Sequence, residues 1–132
     1  MLKIGVLKSS KRAPLGVIPE SLKKWPSNTT RFLIEKNAGS FSHFNDAEFI
    51  TGGAKVVSRT EVIEQSNILV ISDNLSDRDF KILHADTMVL GLLNPYNNQD
   101  FIAKLKKRKQ KAFALEMLPR TSIAQSMDAL SA

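Results

Sequence analysis

The stretch SNILVISDNLSDRDFKILHADTMVLGLL, residues 66–93, carries the clearest pattern of secondary structure in the chain. Its segments ILVIS and TMVLGLL are almost continuously hydrophobic, which is typical of parallel strands that are covered on both faces of a sheet. Between them, Ser76 precedes the acidic sequence DRD, and a capping serine followed by early acids indicates the start of a helix. The stretch therefore predicts a strand, a helix and a second strand, the repeating unit of an α/β domain with a parallel sheet.

The same alternation of short apolar runs and amphipathic segments extends over the rest of the chain. It predicts strands at residues 3–7, 30–35, 54–57, 67–72, 87–93 and 112–115. It predicts helices at residues 20–25, 46–51, 60–65, 77–84, 99–108 and 122–130. Asn45 and Asn98 are expected to cap two of these helices, and the pair Gly52 and Gly53 is expected to end one.

These elements predict a single α/β domain over residues 1–132, with a mostly parallel sheet between flanking helices. We expect a three-layer arrangement of the Rossmann-like or flavodoxin-like kind. The last predicted helix has no stop signal before Ala132, so we expect the domain to end on an incomplete connecting helix.

Composition excludes several classes of protein. The chain has 132 residues, of which 42% are hydrophobic and 24% charged, as in ordinary globular domains. It has no cysteine, which excludes a disulfide framework and a thiolate metal site. No segment approaches the roughly 20 apolar residues that span a bilayer, so we expect a soluble domain without direct membrane insertion.

The net charge of +6 is concentrated in KLKKRKQK, residues 104–111. A solvated helix whose last turns carry cations, which the helix dipole favours there, is one interpretation of this run. Phosphate binding is the other. No aromatic residues are interleaved to stack bases, so we expect no nucleic-acid partner.

The chain carries no recognisable catalytic motif. His43 and His84 have no companions at ligand spacing, so we expect no metal site. The six glycines form neither a GxGxxG turn nor a P-loop, and no nucleophile elbow or suggestive carboxylate pair is present. Residue patterns alone therefore lead only to a soluble α/β domain.

The last predicted helix is the exception. Its polar residues recur every third position and follow an arginine that lies just before the helix: Arg120, Gln125, Asp128 and Ser131. A guanidinium, an amide, a carboxylate and a hydroxyl could together satisfy the carbonyl and the NH₂ group of a carboxamide. The same pattern also describes an ordinary exposed helix face, with Ile123, Met127 and Leu130 forming an apolar stripe on another side.

Several segments resemble a known family. They are KIGV at residues 3–6 with Pro19, NAGSFSHFNDAEFITGGAKVV at 37–57, SNILV at 66–70 and LPRTSIAQSMDALS at 118–131. The chain resembles the N-terminal part of the alpha subunit of proton-translocating NAD(P) transhydrogenases, which is related to alanine dehydrogenase. The last segment is specific to the transhydrogenase side.

The resemblance implies a role in binding NAD(H). The family's nicotinamide-contacting residues match Arg120, Gln125, Asp128 and Ser131, whereas a separate Rossmann domain, absent from this chain, binds most of the dinucleotide. NADP(H) is held on a partner, the beta subunit or an equivalent component, and the hydride passes directly between the two nucleotides. No residue of this chain is then expected to be catalytic. The resemblance also implies a homodimer in the cytoplasm, peripheral on the inner membrane through its complex.

The chain departs from alanine dehydrogenase at three places. Pro14 or Leu15 stands where that enzyme has an arginine, Asp73 near its lysine and Leu93 near its histidine, so we do not expect alanine deamination. Within the transhydrogenase pattern, Ile123 replaces a usual basic residue. The alternative hypothesis is a stand-alone truncated homologue that acts, without catalysis, as a binding or self-association module.

Overall fold

The computed structural model describes residues 1–8, 22, 24, 25, 28–39, 44–91, 93 and 98–114. Within them lie six strands: β1 Leu2–Val6, β2 Thr30–Glu35, β3 Lys55–Val57, β4 Ile68–Ile71, β5 Met88–Gly91 and β6 Ala112–Ala114. The same residues hold four helices: α1 Asp46–Thr51, α2 Arg59–Gln65, α3 Asp77–Ile82 and α4 Gln99–Lys107.

The six strands form one sheet in the order β3-β2-β1-β4-β5-β6, and every neighbouring pair is parallel. The chain therefore builds outward from β1 in one direction, then returns to the other side of β1 with β4. This order is the doubly wound order of dinucleotide-binding domains. The predicted α/β class with a parallel sheet is confirmed.

Strand β4 shows why the central strands have a continuous hydrophobic sequence. Its side chains alternate between two cores: Ile68 and Val70 belong to one, Leu69 and Ile71 to the other. All four residues are buried because each face of the sheet is covered. The hydrophobic run is thus the direct result of a strand that lies between two layers.

The two cores differ in the number of described helices that contribute residues to them. On one face the core includes apolar residues of three helices, among them Val62 of α2, Phe80 of α3 and Phe101 of α4. On the other face the core includes Phe49 of α1 together with Leu22. Helices on both faces give the three layers expected from the sequence.

Helix α2 packs very closely on β1. A Cβ atom added to Gly5 would overlap Oγ of Ser66 and would lie 2.8 Å from Cγ1 of Val62. Only a glycine therefore allows this spacing between the strand and the end of the helix. The contact fixes α2, and with it the residues at its first turn, relative to the centre of the sheet.

Two of the three predicted side-chain caps are present in the structure, and the third is not. The side chains of Asn45 and Ser76 cap α1 and α3, and each forms a reciprocal capping box with the third residue of its helix, Glu48 or Asp79. Asn98 occupies the N-cap position of α4 but makes no capping hydrogen bond, so the prediction for its side chain is wrong. The Asn98 amide group instead donates to the side chain of Asn74 and to the carbonyl of Leu93.

Most predicted elements agree with the structure to within one or two residues, apart from the shorter β5. The predicted end of α1 is confirmed, since Gly52 is its C-cap and Gly53 has a φ of 102° that favours glycine. The helix predicted at 122–130, and with it the incomplete connecting helix, lies outside the described residues. Most of the helix predicted at 20–25 also lies outside them.

Candidate functional site

The carboxyl end of the sheet is the place where this topology positions a ligand. In doubly wound sheets, ligands bind beyond the carboxyl ends of the strands where the strand order reverses. Here the order reverses between β1 and β4. The residues that follow or end the central strands, such as Lys8, Glu35 and Asp73, therefore define the candidate site.

An ion-pair network, extended by one backbone amide, joins two strands and two helices at this end. The guanidinium of Arg59, at the start of α2, contacts Oε1 of Glu35 at 3.2 Å and Oδ2 of Asp79 at 2.7 Å. A second bond, from Nε of Arg59 to Oδ1 of Asp79, measures 3.0 Å. The amide of Lys8 donates to the same Oε1 of Glu35 at 2.8 Å. The network thus connects the exit of β1, the end of β2 and the beginnings of α2 and α3.

The network shifts the pKa values of Arg59 and Asp79 in opposite directions. The hydrogen bond to Asp79 raises the pKa of Arg59 against the opposing effect of burial, and the charges of both carboxylates add to the rise. Burial would raise the pKa of Asp79, but hydrogen bonds from Arg59 and from the Ser76 amide, with the Arg59 charge, outweigh it and lower that pKa. Both groups are therefore charged at neutral pH, as in a structural ion pair rather than an acid–base pair.

Glu35 occupies the position at which dinucleotide-binding domains hold a ribose. In such domains a carboxylate at the end of the second strand accepts a hydrogen bond from the ribose 2′-hydroxyl. Here Oε1 of Glu35 already accepts from Lys8 and Arg59. Since the sequence also lacks the glycine-rich turn after β1, the described residues do not fit a dinucleotide bound in the Rossmann manner.

A reciprocal amide pair lies beside the network. Nδ2 of Asn74 donates to Oδ1 of Asn98 at 2.9 Å, and Nδ2 of Asn98 donates to Oδ1 of Asn74 at 2.6 Å. Asn98 also donates to the carbonyl of Leu93 at 3.0 Å. These bonds connect the segments that follow β4 and β5 to the start of α4, and they explain why Asn98 does not cap that helix.

The predicted site residues Arg120, Gln125, Asp128 and Ser131 all lie outside the described residues. Their role therefore stays a prediction. The network of Arg59, Glu35 and Asp79 was not expected from the sequence. Its members are 20 and 24 residues apart, and no local pattern links residues at those separations.

The structure places two of the positions at which the chain departs from alanine dehydrogenase. Asp73 is exposed just beyond the end of β4. Leu93 is only 3% exposed and belongs to the core beneath α3 and α4. Leu93 is thus a core residue, and Pro14 and Leu15 lie outside the described residues.

The amino end of the sheet has a shallow cavity of about 220 Å³, which His84, Glu64 and Asp86 help to line. It lies at the edge opposite the network, where β4 and β5 begin. Among the described residues, no group of three or more histidines or acids is arranged to hold a metal ion. In this part of the chain, no helix has the length and hydrophobicity needed to cross a membrane.

The parallel strands, their order and the helices on both faces define a doubly wound domain of the Rossmann class. Residues 8–132 match the family described as "Alanine dehydrogenase/PNT, N-terminal domain". The chain belongs to this family, and the resemblance inferred from the sequence is confirmed.

Three similar proteins illustrate this relationship. The chain is 35% identical over 105 residues to an NAD(P) transhydrogenase alpha subunit protein of Rickettsia prowazekii, with 74% of this chain and 27% of that protein covered. The crystal structure of a transhydrogenase from Sinorhizobium meliloti matches 96% of this chain and 39% of its own, with 25% identity and a TM-score of 0.77. An L-alanine dehydrogenase structure matches 86% of this chain and 32% of its own, with 22% identity and a TM-score of 0.74, which shows a shared fold. The chain thus spans well under half the length of each of these relatives.

Proposed function

We propose that this chain is the N-terminal part of the NAD(H)-binding component of a proton-translocating NAD(P) transhydrogenase. The observation that carries the proposal is the similarity to transhydrogenase alpha subunits over most of the chain. In such an enzyme a hydride passes from NADH to NADP⁺ while a proton crosses the membrane. The remainder of the alpha subunit and an NADP(H)-binding beta subunit or component would be its partners.

The residues proposed to contact NAD(H) are Arg120, Gln125, Asp128 and Ser131. Their guanidinium, amide, carboxylate and hydroxyl groups would hold the carboxamide and so fix the orientation of the nicotinamide ring. Direct hydride transfer needs two rings held at near-attack distance and no general base. The contribution of this chain would therefore be the positioning of one ring, without a catalytic residue.

The ion-pair network supports the proposal that two domains bind different parts of NAD(H). At the usual ribose position, Oε1 of Glu35 is already bonded to Lys8 and Arg59 within the domain. The adenosine and pyrophosphate parts of NAD(H) would then bind to a separate Rossmann domain. This is consistent with relatives that are several times longer than the chain.

An NADH titration, followed by NMR or nucleotide fluorescence, tests the proposal. The isolated chain is expected not to bind, because half of a site loses affinity while its ordering cost remains. The chain joined to the remainder of a relative's alpha subunit is expected to bind saturably. In that fusion Asp128→Asn should weaken binding about tenfold or more, the effect of losing a charge-assisted hydrogen bond.

Asp100→Asn is the matched control for this titration, because Asp100 is an exposed acid on α4. It should bind NADH like the parent fusion. Equal affinity of the Asp128→Asn and parent fusions would contradict the assigned contact. Saturable micromolar binding of NADH by the isolated chain would contradict the expectation that it holds only half of the site. A folded fusion without affinity for NADH would contradict the proposed function itself.

A self-association module is the second candidate, and strand β6 supports it. Among the described strands this one lies at the edge of the sheet, and Phe113 on it is 50% exposed. An edge strand with an exposed aromatic residue can pair with another copy. Size-exclusion chromatography over a range of concentrations separates the two candidates, since a monomer at every concentration would contradict the module.

A further inference from the structure

Four lysines form an exposed basic surface where α4 ends and β6 begins: Lys106, Lys107, Lys109 and Lys111. In the described part of the chain, none of them has an acidic partner within ion-pair distance. The two other cations of the run do have partners. Lys104 pairs with Asp77 at 2.7 Å, and Arg108 donates to the carbonyl of Leu83 at 2.9 Å.

The backbone beneath the basic surface is firmly held. Gln110 is buried, and its Nε2 donates to the carbonyls of His84, Ala85 and Thr87 in the segment that leads into β5. Leu105 is buried in the core under α4. The four lysines are therefore carried by a stretch of backbone that is fixed on both sides of the helix end.

The helix dipole does not account for the whole surface. It favours cations in the last turn of α4, which includes Lys106 and Lys107. Lys109 and Lys111 lie beyond the helix, whose C-cap is Arg108. The dipole weakens within a turn of the helix end, so it gives no reason for positive charge at residues 109 and 111.

The chemistry of the surface favours a diffuse anionic partner. All four unpaired cations are lysines, which act as flexible point charges and lack the planar fork with which arginine binds one carboxylate or phosphate. No aromatic residues are interleaved among them to stack bases. Phe113 is half exposed two residues after Lys111, a spacing that places both side chains on one side of an extended strand. An aromatic residue beside lysines suits a lipid–water interface.

We propose that this basic surface binds the anionic headgroups of a membrane. Such binding needs no membrane-spanning segment, because several lysines near a negative lipid surface attract it additively. The inference does not rest on the proposed function, since lipid binding is measured without nucleotide.

Vesicle co-sedimentation tests this proposal on the full chain. We expect binding to vesicles of equal parts phosphatidylcholine and phosphatidylglycerol, and none to phosphatidylcholine alone. Added salt should weaken the binding, because it screens exposed charges. Replacing the four lysines of the basic surface by glutamine should reduce affinity about fivefold for each lysine removed.

The matched control replaces four exposed lysines elsewhere by glutamine: Lys24, Lys36, Lys55 and Lys81. Both variants have the same net charge, but the control keeps the four lysines of the basic surface. The control should therefore retain most of the binding to vesicles. An equal loss in both variants would show an effect of net charge and overturn the assigned surface. Equal binding to neutral vesicles, or binding to heparin without binding to vesicles, would overturn the choice of partner.

Discussion

Arg59 donates two hydrogen bonds to the carboxylate of Asp79, at 3.0 Å from Nε to Oδ1 and 2.7 Å from Nη2 to Oδ2. The side chain of Asp79 is only 7% exposed, whereas that of Arg59 is 37% exposed. Oδ2 of Asp79 also accepts from the Ser76 amide at 2.9 Å. A single carboxylate therefore completes the cap of α3 and joins that helix to the start of α2.

Replacing Asp79 by asparagine should lower the free energy of unfolding by about 1 to 3 kcal/mol. The change removes the charge that faces Arg59 but keeps an oxygen that can accept from the Ser76 amide. The partial exposure of Arg59 limits the loss, because solvent screens its charge. Urea unfolding followed by circular dichroism measures the change.

Asp77→Asn is the matched control for this substitution. Asp77 lies two residues earlier and pairs with Lys104, but its side chain is 82% exposed, so its removal should have no measurable effect. Equal destabilisation by the two substitutions would contradict the distinction between the buried and the exposed ion pair.

The contribution of Asp79 should disappear in acid. Its pKa lies below the ordinary value of 3.8, because the bonds from Arg59 and Ser76 outweigh burial. A carboxyl group with a lowered pKa stabilises the fold fully above its unfolded pKa and loses that effect as pH falls through the folded value. The difference in unfolding free energy between the parent and Asp79→Asn should thus be constant above about pH 5 and shrink below about pH 4. A constant difference down to pH 3 would contradict this.

Two buried threonines at the amino ends of strands should respond oppositely to replacement by valine. Oγ1 of Thr30 is buried and has no hydrogen-bond partner among the described residues, whereas Oγ1 of Thr87 donates to the carbonyl of Ser66 at 3.2 Å. A buried hydroxyl without a partner costs free energy, so Thr30→Val should stabilise the protein by up to about 1 kcal/mol. Thr87→Val should destabilise it by about 1 kcal/mol. Thermal unfolding of both variants is the measurement, and destabilisation by Thr30→Val would contradict the assignment.

The sequence predicted those features of the structure that depend on near neighbours. The burial of both faces of β4 determines its composition, and Ser76 and Asn45 cap helices through residues three positions away. The hydrogen bonds of Asn98 depend on Asn74, which is 24 residues away, so its local pattern led to the wrong cap. The same reason explains why the network of Arg59 was not predicted. The four proposed nicotinamide contacts come from the family resemblance, because their residue pattern alone also describes an ordinary exposed helix face.

Gln110 connects the end of α4 to the segment before β5 through its Nε2 group, while its Oε1 accepts from Nε of Arg108 at 3.4 Å. Its Nε2 lies 3.0 Å from the carbonyl of His84 and also contacts those of Ala85 and Thr87. In Gln110→Glu the same shape carries a carboxylate toward these carbonyl oxygens. Repulsion and the lost donor should destabilise the protein by about 2 to 4 kcal/mol at neutral pH.

The pH dependence of the stability of Gln110→Glu tests whether the lost donor causes the destabilisation. A protonated carboxyl group can donate one hydrogen bond, so some of the lost stability should return as the pH is lowered and the new carboxyl group takes up a proton. Gln110→Ala serves as the control, because it lacks both the donor and the charge and should show no such recovery. Urea unfolding of the three proteins between about pH 5 and pH 8 separates these outcomes. Parallel curves for the glutamate and alanine variants would show that packing, not the donor, accounts for the role of Gln110.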